Sequence, residues 1–235
     1  MLFVPLAIIG DGMSKFARSS TIIGVFDSGV GGISMVKTIQ KALPRDKVLF
    51  ANDSKHVPYG NKSPKELLGY VVPIMKDLES RGCQTIVVAC NTVSTTLIKE
   101  LRAVIGVPLI AIEPMIKPAA MQTKTKIIAV CATPTTLGSN RYAWLKRHYA
   151  SGIKVIEPDC SDWSHMIETK KIDHDKIISV AKNVCDEGAD IIVLGCTHYH
   201  WIEDLIKHAV QGKAKVLQPE EPVISQLERV LQRPA

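Results

Sequence analysis

Apolar residues in this chain come in short, β-branched blocks separated by segments of helical spacing. Ile22 to Phe26 (IIGVF), Lys47 to Ala51 (KVLFA), Thr85 to Ala89 and Val107 to Ile112 read as strands. After a gap the series resumes with Lys126 to Cys131 (KIIAVC), Lys154 to Glu157 (KVIE) and Ile191 to Gly195. Such continuous apolar runs suit strands covered on both faces. Between them, Ile33, Val36, Ile39 and Leu43 repeat at helical spacing, and Pro44 closes that segment. Ser63-Pro64-Lys65-Glu66 has the form of a capping box with proline at the first helical position, opening a helix to about Glu79. Further helices are predicted from about Ser94 to Ile105, through Tyr142, Trp144 and Leu145, and from Ile177 to Glu187. The last segment, Pro222 to Leu231, has apolar residues at 223, 224, 227, 230 and 231 and predicts a closing helix that packs back on the first half.

The order of landmarks repeats. Ile22 to Ser28 against Ile127 to Thr133 is an offset of 105, Lys47-Val48 against Lys154-Val155 is 107, and Cys90 against Cys196 is 106. Near-constant spacing predicts a duplicated α/β unit. The expected architecture is two similar parallel-sheet α/β domains with the active site in the cleft between them. The division we read is an N-terminal extension over 1–20, a first domain over 21–117 completed by a C-terminal helix in 220–235, and a second domain over 118–219.

Composition narrows this only a little. The chain has 235 residues, 46% hydrophobic and 22% charged, as expected of a globular protein. No apolar run approaches the ~18 residues of a membrane helix. The opening MLFVPLAIIG lacks a preceding basic residue and is cut short by Asp11, which argues against a secretory signal and leaves Met13 as an alternative start. The net charge of +6 is spread thinly, with short clusters such as Lys124/Lys126 and Lys170/Lys171 and no aromatic-rich basic stripe, so no nucleic-acid partner is expected. Six cysteines without a Cys-x-x-Cys fit a cytoplasmic chain with reduced thiols better than a disulfide framework or zinc cluster.

Two of those cysteines stand apart. In IVVACNTVSTT (86–96) and IIVLGCTHYHW (191–201), a buried run ends in a small residue and a cysteine, then polar residues that can start a helix. A thiolate at such a helix start gains some stabilisation. His198 can serve Cys196 as an acid/base or orienting partner, and Asp27 can serve Cys90. One thiolate and one thiol on opposite faces of a bound molecule can remove a proton and return another, which is a racemisation. A lone strand-end cysteine is more often core, and Cys83, Cys131 and Cys185 are read so, with Cys160 undecided. The duplication tips the balance for Cys90 and Cys196. Cys196, His198 and His200 could also hold a metal, but no fourth ligand stands at a telling spacing, and no metal is expected. Asp-Ser-Gly-Val-Gly-Gly (27–32) resembles a phosphate cradle, yet Ser34 replaces the last glycine of a dinucleotide fingerprint. Its backbone N–H groups suit a substrate carboxylate better, and a plain strand-to-helix turn is the bland alternative. Glu168 reads from the residues alone as an exposed helix carboxylate, and Tyr59 as either loop packing or ligand contact.

At these residues the chain resembles the glutamate racemases of the cofactor-independent aspartate/glutamate racemase family. The matching stretches are GVFDSGVGG (24–32), VPYGNKS (57–63), VACNTVS (88–94), IEP (112–114), Thr133 with Thr136, and LGCTHY (194–199), in the family order. The resemblance implies no pyridoxal phosphate or other cofactor, with glutamate as the small-molecule substrate and D-glutamate feeding peptidoglycan synthesis. It implies that Cys196 takes the α-proton from L-glutamate and Cys90 from D-glutamate, with His198 and Asp27 as their respective assistants and Glu168 as a further carboxylate. Ser28, Pro58, Tyr59, Gly60, Asn91, Thr92, Thr133, Thr136 and Thr197 match substrate-holding positions. A homodimer is compatible with it, and the sequence does not fix the oligomeric state. The chain departs from the family pattern at Met115, where glycine is usual, at His200, where proline is usual, and at Gln218-Pro219 in place of acidic residues. Alternatives are a racemase for aspartate or another acidic amino acid, a cysteine hydrolase, or an amino-acid-binding regulatory protein.

Overall fold

The computed structural model describes residues 20–231; the expected extension over 1–20 falls almost wholly outside them. The first half runs β1 (Ile22–Asp27), α1 (Gly32–Ala42), β2 (Lys47–Asn52), a 3₁₀ turn (Tyr59–Asn61), α2 (Pro64–Ser80), β3 (Thr85–Val88), α3 (Asn91–Thr96), α4 (Ile98–Val104) and β4 (Leu109–Ala111). The second runs α5 (Ile116–Gln122), β5 (Ile127–Cys131), α6 (Pro134–Leu137), α7 (Asn140–Tyr149), β6 (Lys154–Ile156), α8 (Trp163–Glu168), α9 (His174–Asp186), β7 (Ile191–Leu194), a 3₁₀ segment (Thr197–Ile202), α10 (Glu203–Val210) and β8 (Lys215–Leu217). α11 (Glu220–Leu231) follows. Each half holds a four-stranded parallel sheet, ordered β2-β1-β3-β4 and β6-β5-β7-β8. The duplicated α/β architecture expected from the repeat is the one the chain adopts.

Residues of alternate parity face opposite sides of each sheet, as the strand period demands. On one side of the first sheet, Phe26, Ile86 and Val88 pack with Leu67, Val71, Met75 and Leu78 of α2. On the other, Ile23, Val25, Val87 and Ile110 meet Met35 and Ile39 of α1 and Val223 and Leu227 of α11. The closing helix therefore does return to the first half. The second sheet repeats this, with α8, α9 and α10 on one face and α5 and α7 on the other. At ~25 cal/mol per Å² of apolar surface, these four clusters supply most of the drive to fold.

Several local expectations shift. The core stripe of α1 is Met35 and Ile39, while Ile33 and Val36 are only half-buried. Ser63 caps α2 by accepting from Glu66 N, but the Glu66 carboxylate turns away to Tyr70 and Lys62, so only half of the capping box forms. The helix expected from Ser94 starts earlier, at Asn91, and breaks at Leu97. Thr95 and Thr96 donate to the carbonyls of Asn91 and Thr92, a back-bonding that competes with a regular helix. The earlier start makes Cys90 itself the residue capping α3.

Candidate active site

Each cysteine lies two residues beyond the end of the third strand of its half, Cys90 after β3 and Cys196 after β7. Those strands lie beside β1 and β5, where the connections diverge to either side of the sheet, the usual place for a ligand in open parallel sheets. The carboxyl ends of both sheets face one cavity of about 280 Å³. The first half contributes Ser28, Val57, Pro58, Tyr59, Gly60, Cys90, Asn91 and Thr92; the second contributes Thr133, Ser164, His165, Glu168, Thr169, Cys196, Thr197 and His198. Among the described residues, no lysine or arginine is on the wall. The halves touch directly around it: Thr92 Oγ1 lies 3.0 Å from Thr133 Oγ1, Thr197 Oγ1 donates to Asp27 Oδ1 at 3.0 Å, and Thr135 Oγ1 donates to the Gly60 carbonyl.

Of the residues singled out from the sequence, Asp27 and Thr136 do not reach the wall. Both are fully buried behind it. Thr136 bonds to Thr133 and lies 3.4 Å from Thr92 Oγ1, so it braces two wall residues. Asp27 Oδ2 accepts from the backbone N–H groups of Gly29 (3.2 Å) and Gly32 (2.9 Å), and Oδ1 takes the Thr197 hydroxyl. Its pKa is raised, because burial outweighs the opposing charge of His198 and those hydrogen bonds.

The glycine-rich turn thus has a different use from the one expected. Its N–H groups serve protein carboxylates: two serve Asp27, and Val30 N donates to Glu168 Oε1 at 2.9 Å. Its glycines admit the other half. A Cβ at Gly31 would come within 2.7 Å of His198 N and Thr197 Oγ1.

Glu168 is not an exposed helix carboxylate. Its side chain is mostly covered and lies 2.6 Å from His198 Nε2. The His198 bond, followed by Val30 N, lowers its pKa against the effect of burial. The other imidazole nitrogen, Nδ1, lies 3.7 Å from Cys196 Sγ. Burial alone would lower the His198 pKa, but Cys196, Glu168 and Asp27 together push it up to about 11. The result is a Cys196–His198–Glu168 relay with a protonated imidazole in its middle.

Around Cys90 the balance is reversed. Burial and the Asp27 charge push its thiol up to about 12, and the Ser28 and Val93 contacts offset this only partly. The stabilisation expected from a helix start does not prevail there. Its hydrogen-bond partner is Ser28 Oγ at 3.5 Å. Charge on Cys196 also raises Cys90, so the two sulfurs sense one another across the cavity. Tyr59, buried beside them, donates to Asp53 Oδ2 at 2.6 Å. The remaining cysteines are off the wall: Cys83, Cys131 and Cys160 are buried in cores and Cys185 is half-buried on α9.

Four wall residues escaped the sequence reading: Val57, Ser164, His165 and Thr169. Three of them have a legible signal. Ser164, His165 and Glu168 of α8 and Thr169 at its C-cap share one face at helical spacing, with Trp163 and Ile167 buried behind.

A duplicated parallel α/β protein with a thiol at the matching strand end of each half, both on one interdomain cavity, is the architecture of a two-thiol racemase. The family model described as Asp/Glu/Hydantoin racemase matches residues 23–224, and the chain belongs to that family. It is 36% identical over 220 residues to the glutamate racemase of Pseudomonas paraeruginosa, covering 92% of this chain and 83% of that one. Among solved structures, Escherichia coli glutamate racemase in complex with L-glutamate is similar at a TM-score of 0.85 and 26% identity, covering 92% and 84%. The Francisella tularensis enzyme in complex with D-glutamate is similar at 0.75 and 28%, covering 91% and 81%.

Proposed function

We propose that this protein is a glutamate racemase, interconverting L- and D-glutamate by proton transfer between Cys196 and Cys90 without pyridoxal phosphate. One observation carries the reading: thiols at equivalent positions of two repeated units line the same cavity with unlike electrostatics. In the L-to-D direction the Cys196 thiolate, held by the His198 imidazolium, takes the α-proton. The Cys90 thiol then gives its proton to the opposite face of the carbanion. The enzyme is left with Cys196 protonated and Cys90 charged, which is the form that accepts D-glutamate for the return reaction. Ser28 Oγ and the first N–H groups of α3 are positioned to stabilise Cys90 when it carries that charge.

Both side-chain amide atoms of Asn91, Oδ1 and Nδ2, are buried on the wall without partners among the described residues. Leaving a buried polar group unpaired costs about 1–3 kcal/mol, which a polar ligand would relieve. With no lysine or arginine of the described residues on the wall, the substrate's carboxylates would be held by Asn91, the hydroxyls of Ser28, Thr92, Thr133 and Thr197, and the His198 charge. Glu168 would face the α-ammonium. D-Glutamate from such a reaction would feed peptidoglycan synthesis, and an enzyme with that role would work in the cytoplasm. None of the described helices is long and apolar enough to cross a membrane.

The test is racemisation of L-glutamate in deuterated water, followed by mass and chiral analysis at low conversion. D-Glutamate carrying one deuterium at Cα, with the residual L-glutamate unlabelled, is the expected result. Label appearing equally in both enantiomers from the start would indicate a single base. Faster turnover of aspartate than of glutamate would reassign the substrate.

A further inference from the structure

Two residues beyond His198, in the same 3₁₀ segment, stands a second buried histidine that the chemistry above does not use. His200 has a side chain only 2% exposed, and it occupies a position where proline is usual in the resemblance noted from the sequence. In a 3₁₀ helix, residues three apart share a face. Thr197 and His200 therefore point the same way, toward the first half, while His198 is turned into the cavity. Thr197 donates to Asp27 and His200 Nδ1 lies 3.2 Å from Ser34 Oγ of α1. The same Nδ1 lies 3.7 Å from Glu220 Oε1 of α11. Glu220 Oε2 in turn accepts from Thr38 Oγ1 at 2.9 Å, one turn along α1 from Ser34.

The proton inventory assigns the tautomer. Ser34 Oγ donates its one proton to the Gly31 carbonyl at 3.1 Å, so it can only accept from His200. The Glu220 carboxylate likewise only accepts. These contacts assign the hydrogen to Nδ1, which leaves Nε2 bare and buried with no partner among the described residues. Burial and the neighbouring His198 charge keep the ring neutral, pushing its pKa down to about 4.

We propose that His200 is a positioning residue for Cys196. Its Nδ1–H, received by Ser34 with the Glu220 carboxylate 3.7 Å away, pins the far end of the 3₁₀ segment to α1, as Thr197 pins the near end to Asp27. With both ends held, the Cys196–His198 pair keeps its place across the cavity from Cys90. Gly31, which leaves no room for a side chain between α1 and this segment, makes the fit close enough for a lost hydrogen bond to be felt. This inference rests on the racemase reading, but one of its readouts does not need turnover.

The experiment compares His200→Leu, His200→Asn and Ser34→Ala for steady-state racemisation and for alkylation of Cys196 by iodoacetamide, followed by peptide mapping. Leucine fills the space without a donor; asparagine returns an N–H near the position of Nδ1. His200→Leu should lower kcat about tenfold in both directions, with KM changing less than about twofold, and slow Cys196 alkylation by a similar factor. His200→Asn should recover most of both losses, and Ser34→Ala should show the same pattern, weaker. A His200→Leu protein that loses only thermal stability, or a His200→Asn protein as impaired as His200→Leu, would overturn the proposal. Should His200→Leu fail to fold, a Ser34→Ala protein unchanged in both readouts does so. A wild-type protein that does not racemise glutamate sinks the racemase reading alone, because the alkylation comparison still decides the role of His200.

Discussion

Cys90 and Cys196 hold the same rank in two copies of one strand order, and the chain surrounds them differently. Cys90 caps an α-helix, has Ser28 as its hydrogen-bond partner, and feels a buried carboxylate whose oxygens are committed elsewhere. Cys196 precedes a 3₁₀ segment and has a protonated histidine 3.7 Å away, backed by Glu168. Duplication supplied the symmetry that proton transfer between faces requires. Divergence then set unlike groups beside the two sulfurs, an imidazolium at Cys196 and a buried carboxylate near Cys90.

The largest effect should come from deleting either sulfur. Cys90→Ser and Cys196→Ser should each lower racemisation by about 10³-fold or more. Their residual chemistry should differ. Cys90→Ser retains the Cys196 thiolate and should still exchange the α-hydrogen of L-glutamate with deuterated water. Cys196→Ser should exchange only D-glutamate, and more slowly, because the Cys90 thiol starts from a pKa of about 12. If both variants exchange the same enantiomer, the facial assignment is wrong.

A smaller loss should follow from removing the charge beside Cys196. His198→Gln should lower kcat by about 10²-fold and slow alkylation of Cys196 at neutral pH by about tenfold or more. In the wild-type protein, limiting iodoacetamide should label Cys196 well before Cys90. Prior labelling of Cys90 would reverse the comparison.

The smallest effect separates the two neighbouring histidines in stability. His198 has its folded pKa raised from 6.5 to about 11. The stability it contributes is complete below pH 6.5 and is lost as pH climbs toward 11, because the unfolded chain gives up a proton that the folded one keeps. His200 is lowered from 6.5 to about 4, so stability falls as pH drops through that window, where only the unfolded chain takes up the proton. Each can tilt the profile by at most about 1.4 kcal/mol per pH unit. Denaturant titrations should show His198→Gln flattening the alkaline limb and His200→Asn the acidic limb. The reverse pattern would exchange their protonation states.

Much of this site was legible beforehand because strand ends are legible. A buried run such as IVVA or IIVLG announces where its polar sequel will point, and the repeat showed which sequels belong together. What the pattern hid was depth. Asp27 and Thr136 stand in the same motifs as the wall residues, yet packing put them one layer back. The burial of Glu168 comes from Val30 and His198, distant in sequence, so spacing along α8 alone does not reveal it. The glycine-rich turn misled for a related reason. Backbone N–H groups can receive any carboxylate, and only the folded chain shows that its own carboxylates arrive first.

The return of α11 to the first sheet bears on how the chain is made. Ile23 and Val25 share a core with Val223 and Leu227, so one flank of the earlier unit stays uncovered until α11 has been synthesised. The later unit draws its sheet and helices from one continuous stretch and can close first, while its forerunner waits with apolar surface open to solvent.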